Sequence, residues 1–441
     1  MLLPPRLPVT RRRSLQLAAA AWAGSVLPQR TRADVPETVG ARITADFDPV
    51  AAVWLGYDAG HEAFTADLAQ ALWDAVPLKM LVRDRAAEAQ ARAVLQRRGL
   101  PPDRVQFFHD AGAPFFLRDG AVFGLDGQDT PFVVDFQWSS YGWGHWCRRR
   151  HRDDPGATLA CTGTDDLQAG TLDRRLAGML GLAAFSSPLA IEGGGVEVNG
   201  QGLLIANASL WHSRNPGQSR TTLERQMLRL PGVRKVIWLP RGLVHDPLHR
   251  GTITGPYVGW GTGGHTDEFV RFADARTVLL AWAGDADARS HPVARLNQAR
   301  MQANFDILSA STDQDGQPLR VIKVPLPTTI ERPVVLSADA DTRFSAEWTA
   351  ASFPAREGRR EGDTVRQVAI SSYLNFIVVD TLVLLPDYLP HGTPAHRQNK
   401  VLALFESVFP GRRVAFINAT ALNWFGGGAH CATLAEPAAA G

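Results

Sequence analysis

Pro188-Leu189-Ala190-Ile191-Glu192-Gly193-Gly194-Gly195 sets a carboxylate between an apolar run and three glycines. A carboxylate taken out of water without a partner is costly, and glycine lets another group approach the backbone closely. The segment therefore reads as one edge of a site. Working outward, Arg118-Asp119-Gly120 places an acid 73 residues before Glu192, directly after Phe115-Phe116-Leu117. Gly264-His265-Thr266-Asp267 places a histidine 73 residues after it. Two more polar clusters follow, Ser371-Ser372-Tyr373-Leu374-Asn375 and Gly426-Gly427-Gly428-Ala429-His430-Cys431. The units share no visible sequence similarity. Their spacing, roughly 70 to 80 residues with one polar edge each, still points to blades around a shared centre.

The segments between these turns alternate in period. Apolar runs of strand type occur at 52–56, 78–82, 132–136, 202–206, 236–239, 278–282, 321–324, 375–379 and 414–417. Stretches with apolar residues at three- and four-residue spacing occur at 67–75, 84–98, 221–230, 291–309 and 394–409, the last ended by Pro410-Gly411. The class is α/β or α+β with mixed sheets.

Of the 441 residues, 46 are Lys or Arg and 44 Asp or Glu, so the formal net charge is +2 and no global field recruits nucleic acid. Arg148-Arg149-Arg150-His151-Arg152 is basic, but Asp153 and Asp154 follow at once, and the run reads as a solvated loop rather than a nucleic-acid patch. At 45% hydrophobic and 20% charged residues the chain is too apolar for disorder. No stretch beyond the N-terminus reaches the apolar length of a membrane span.

Arg11, Arg12 and Arg13 precede a short apolar run from Leu17 to Leu27, and Thr31-Arg32-Ala33 offers small residues for cleavage. Residues 1–33 read as an export signal, the arginines resembling a twin-arginine motif, with a single mature domain from 34 to 441 in the periplasm or outside the cell. A disordered arginine-rich tail is the alternative. Three cysteines do not make a disulfide scaffold. Cys147 and Cys161 could pair in an oxidising compartment, which leaves Cys431 over.

Cys431 follows three glycines, a setting in which a thiolate can be held on a tight, exposed loop as a nucleophile; a small buried cysteine beside a glycine turn is the plain alternative. In an extended strand His265 and Asp267 would share one face, with Thr266 and Glu268 on the other. Neither a close histidine pair nor a Cys-x-x-Cys is present, so no metal is expected. Taken singly, Asp119 and Glu192 each fit a surface turn. Taken together, three acids, a histidine and a cysteine make a pocket suited to a cation. Guanidinium is planar, stays charged and matches carboxylates through paired hydrogen bonds.

At this point the motifs are similar to those of the agmatine deiminase and bacterial peptidyl-arginine deiminase family, within the guanidino-group-modifying superfamily. The resemblance rests on 116–120, Gly142-Trp143-Gly144, 192–194, 264–267, 372–376 and 426–431, in order over nearly the whole mature chain. It implies a five-bladed α/β propeller (pentein) with pseudo-fivefold symmetry and a central active site. It also implies Cys431 as nucleophile, His265 as general acid/base, Asp119 and Asp267 as the guanidinium clamp, and Glu192 as an acid on substrate or histidine. Asn375, Phe116 and Trp143 match substrate-side positions, although Phe116 stands where relatives often carry tryptophan. Phe47-Asp48-Pro49-Val50 departs from the Trp-Glu-Pro-His pattern of agmatine deiminases. The implied partner is a small cationic guanidine such as agmatine, or an arginine side chain of a peptide, with no cofactor. An amidinotransferase and a catalytically silent guanidine-binding protein are the alternatives.

Overall fold

The computed structural model describes residues 40–150, 168–248, 250–337, 348–353 and 355–439. Each of the nine apolar runs overlaps a strand. Each of the five helical stretches overlaps a helix, with ends that the local chemistry explains. Helix Arg85–Arg97 starts where the Asp84 side chain accepts from the Ala87 N–H, and Arg220–Met227 where Ser219 accepts from Thr222. Pro292 opens helix Pro292–Ser309 at a position with no N–H to lose.

Five sheets repeat one pattern. A short strand pairs antiparallel with the next, and a third joins parallel after a crossover that contains helix. The triplets are Val122–Leu125, Pro131–Gln137 and Ala183–Ala190; then Glu197–Val198, Leu203–Asn207 and Lys235–Leu239. Val270–Phe272, Thr277–Trp282 and Arg320–Pro325 follow, then Ile377–Val379, Leu382–Pro386 and Arg413–Ile417. The fifth triplet joins the two ends of the chain, pairing Thr433–Pro437 with Val50–Gly56, which runs parallel to Leu78–Val82. A sixth sheet of Gly251–Thr254, Tyr257–Gly259, Thr364–Val368 and Glu331–Val335 stands outside this pattern. Its last two strands fall between the third and fourth triplets, which is why the interval from His265 to Asn375 is longer than 73 residues.

Both faces of the central strands are buried, so they read as unbroken apolar runs rather than as alternating ones. On Pro131–Gln137, Phe132 and Val134 pack with Leu204 and Ala206 of the second triplet, while Val133 packs with Trp54 and Leu81 of the fifth. On Leu382–Pro386, Val383 and Leu385 join the core with Leu280 of the third triplet, and Leu382 and Leu384 join Val53 and Leu55 of the fifth. Alternation with period two thus ties every sheet to two neighbours. Among the described residues no helix is long and apolar enough to cross a membrane.

Candidate active site

Each triplet delivers one polar turn just ahead of its first strand. Asp119 lies in the one-turn helix Leu117–Gly120 before Val122, and Glu192 leads the 3-10 turn Gly193–Gly195 before Glu197. Asp267 lies in the 3-10 turn Thr266–Glu268 before Val270, Asn375 stands before Ile377, and Cys431 before Thr433. The turns are stitched to one another. The Arg118 N–H donates to Cys431 O at 3.2 Å, and the Thr266 hydroxyl to Gly194 O at 2.9 Å. Asp246 holds the His265 turn from behind, accepting from the Gly264 and His265 N–H groups at 2.9 and 3.0 Å. Two glycines are dictated by space. A Cβ on Gly194 would stand 2.6 Å from His265 Nδ1 and 3.1 Å from carboxylate oxygens of Asp119 and Asp267; one on Gly428 would stand 2.2 Å from Asn375 Oδ1.

The reactive groups converge in a buried cluster. Cys431 Sγ receives a hydrogen bond from Asn375 Nδ2 at 3.2 Å and lies 3.5 Å from Asp267 Oδ2. His265 Nε2 bonds Glu192 Oε2 at 3.2 Å, and its Nδ1 faces Asp119 Oδ1 at 3.6 Å and Asp267 Oδ1 at 3.9 Å. Glu192 is fully buried and accepts twice from Arg214 Nε, at 3.0 and 2.8 Å. Asn375 Nδ2 also donates to Glu268 Oε1 at 2.9 Å. Among the described residues, Asp119 Oδ1, Asp267 Oδ1, Glu268 Oε2 and His265 Nδ1 have no hydrogen-bond partner. Unpaired polar atoms at such depth are rare, and three of these four are acceptors.

The electrostatics follow from burial and charge. Burial pushes Asp119 up to about 6 against the pull of His265. Burial works the other way on Glu192, yet Arg214 and His265 hold it at about 2. Burial would lower His265, but the carboxylates of Asp119, Glu192 and Asp267 raise it to about 9. Burial and then the charges of Asp267, Asp119 and Glu268 push the Cys431 thiol well above its usual value. Desolvation also drives Glu268 upward, with Asp267 adding to it. A cation placed among these acids would lower the thiol and so offset their effect on it. Ligand atoms of Asp267, Glu268 and Cys431 lie within 4.8 Å of one another, so the same place could also grip a divalent ion.

The sequence profile of the Porphyromonas-type peptidyl-arginine deiminase family matches residues 42–437. The chain belongs to that family. The family is one of guanidine deiminases. The agmatine deiminase of Ectopseudomonas mendocina is 26% identical over 426 residues, covering 93% of this chain and 99% of the relative. That of Pseudomonas fluorescens is 29% identical over 250 residues, 56% of this chain and 57% of the relative. Among solved structures, agmatine deiminase of Enterococcus faecalis superposes with a TM-score of 0.66 at 21% identity, over 92% of this chain and 98% of its own; the α/β fold is shared.

Within this deiminase-family fold the structure brings Cys431, His265, Glu192, Asp119, Asp267 and Asn375 together. Phe116 packs on the glycine turn ahead of Cys431, where a Cβ on Gly427 would stand 2.4 Å from its ring. Trp143 opens helix Trp143–Arg150, and it is Tyr141, two residues earlier, whose hydroxyl donates to Asp119 Oδ2 at 2.7 Å. Ser140 and Tyr141 both adopt left-handed backbone, φ 55° and 54°, which costs about 1–2 kcal/mol for each non-glycine residue. That strain aims a ring at the site, and nothing in the residue types announces it.

Two expectations need correction. Residues 265–268 form no strand, because Thr266–Glu268 is a 3-10 turn; Glu268 therefore sits beside Asp267 at the sulfur instead of on an opposite face. Arg148 to Arg150 lie in a helix, not a loop, and Arg148 bonds His145 Nδ1 at 2.6 Å. Asp119 and Glu192, which taken singly fit surface turns, are both buried. Residues 1–33 and Cys161 lie outside the described residues, and with them the export signal and the pairing with Cys147. Sequence reasoning also missed His430, Asp46, Arg118 and Arg271. His430 could have been read from its place next to the cysteine, but Asp46 and Arg271 are joined to it only by folding.

Proposed function

We propose that this chain is a hydrolase that deiminates a guanidinium group through a covalent Cys431 intermediate, the group being that of agmatine or of an arginine side chain in a peptide. The observation that carries the reading is the set of unpaired, buried carboxylate oxygens on Asp119, Asp267 and Glu268 around Cys431 Sγ, with His265 Nδ1 unpaired beside them. The free oxygens of Asp119 and Asp267 call for a ligand rich in N–H donors and positive charge, which guanidinium supplies. Its arrival offsets the charges that hold the thiol neutral. The thiol then releases its proton to water, and the sulfur bonds the guanidinium carbon. His265 gives a proton to one nitrogen, which leaves as ammonia, and the remaining carbon–sulfur adduct is an amidino-thioether. The same imidazole takes a proton from water; the hydroxyl adds to carbon, the carbon–sulfur bond breaks, and the ureido product departs. Asp119 and Asp267 hold the flat cation against the sulfur, a placement that contributes several kcal/mol to lowering the barrier, roughly.

The five matching triplets and the cores that tie each sheet to two neighbours support a five-bladed propeller around this site. The arginine-led apolar segment at the N-terminus supports export through a twin-arginine route.

A screen of ammonia release from agmatine, free arginine and arginine peptides tests the reading. Ammonia without an added amine marks a hydrolase, whereas release of the donor's own amine with transfer of its amidino group to an added amine, and no ammonia, marks an amidinotransferase. A Cys431→Ala variant that retains activity overturns the assignment.

A further inference from the structure

His430 precedes the nucleophile and is 4% exposed, yet the mechanism above does not use it. Its Nδ1 lies 2.8 Å from Asp267 Oδ2 and its Nε2 3.1 Å from Asp46 Oδ2. Both carboxyls are held below their usual range despite burial: Asp46 by Arg118, Arg271 and His430, and Asp267 chiefly by His430 itself. Ionised carboxylates only accept, so a ring nitrogen that bonds either of them does so as an N–H donor, and the ring bridges the two acids. Its backbone N–H in turn donates to Asn375 Oδ1 at 2.9 Å, the residue whose Nδ2 donates to Cys431 Sγ. On the far side, Asp46 is anchored by Arg118 Nη2 at 2.8 Å and Arg271 Nη2 at 2.7 Å.

We propose that His430 is a positioning residue of the site, a buried bridge between Asp46 and Asp267 that orients Asp267 for the guanidinium and fixes the carboxylate next to the Cys431 sulfur. Asp267 Oδ2 is shared between His430 and the sulfur, while Oδ1 is left unpaired among the described residues. His430 therefore dictates which oxygen meets the substrate. The arginine-braced Asp46 keeps the ring from turning away. The inference rests on the guanidine-hydrolase reading for its kinetic part and on geometry alone for its effect on the thiol.

Two substitutions separate the two bonds of the ring. In His430→Asn the amide nitrogen falls near the place of Nδ1 and can still donate to Asp267. In His430→Gln the amide reaches toward Asp46 and Asp267 Oδ2 loses its bond from residue 430. The measurements are kcat and KM for agmatine and an arginine tripeptide, and the iodoacetamide alkylation rate of Cys431 at fixed pH, read by mass spectrometry. The expected result is a KM about tenfold higher for His430→Gln, with His430→Asn recovering most of that loss. Alkylation slows about fivefold in both, since each breaks one side of the Asp46–His430–Asp267 bridge that fixes the carboxylate beside the sulfur. Equal KM values in the two variants, or alkylation at the parental rate, would overturn the proposal. Asp46→Asn, which leaves Cys431, Asp267 and His430 intact, must shift both readouts in the same direction; parental values there overturn it as well. A parent protein that releases no ammonia from any guanidine defeats the hydrolase reading, while the alkylation arm still decides the role of His430.

Discussion

Replacing Glu192 with glutamine removes the charge that holds both Arg214 and His265. In the parent this carboxyl is held at about 2, against an ordinary 4.5, by Arg214 and His265 acting against burial. A depressed folded-state value means stability present above about 4.5 and lost as pH falls through about 2; the gap corresponds to about 3 kcal/mol. Glutamine keeps the shape but leaves the Arg214 guanidinium, fully buried, without its countercharge. Breaking such a pair from one side costs about 3–5 kcal/mol. The variant should therefore be about 3 kcal/mol less stable than the parent at pH 7 in urea unfolding followed by circular dichroism. The difference should shrink as pH is lowered through that window, because the parent loses the same charge by protonation. His265 also loses the negative charge of Glu192 that helps to raise it, so the alkaline limb of kcat/KM, set by a group near 9 in the parent, should move to lower pH. A variant within about 1 kcal/mol of the parent at pH 7, or a difference that does not change with pH, would refute the reasoning.

Cys431→Ala should abolish ammonia release on every substrate while leaving the fold unchanged by circular dichroism, as expected for a nucleophile. Gly194→Ala should lower kcat/KM at least about a hundredfold with little loss of secondary structure, because its Cβ would push on His265 and both clamp acids. Asp119 sits near 6, so its charge is lost as pH falls through that value, and KM for a guanidine should rise below it; a KM flat from about pH 8 to about pH 5 would count against the clamp. Tyr141→Phe removes a hydrogen bond that favours the charged form of Asp119, so the same KM rise should begin at higher pH.

Much of this protein was legible before folding. The apolar runs at 78–82, 132–136 and 278–282 are strands because residues buried on both faces leave an unbroken signal. Four of the five turns were visible as glycine near a reactive side chain, a pairing that a close-packed centre demands, and the Asn375 turn as a polar cluster without glycine. Strands such as Val122–Leu125 and Val270–Phe272 were not visible, being too short to establish a period. Nor was the inserted sheet that stretches the interval before Asn375. What folding alone decided is the company each charge keeps. Arg214 meets Glu192 across 22 residues, His430 meets Asp46 across 384, and Glu268 turns toward the sulfur because three residues coil where alternation implied a strand. A sequence displays which side chains can ionise. Their protonation is settled by distance and desolvation, and those come into being only when the five turns meet.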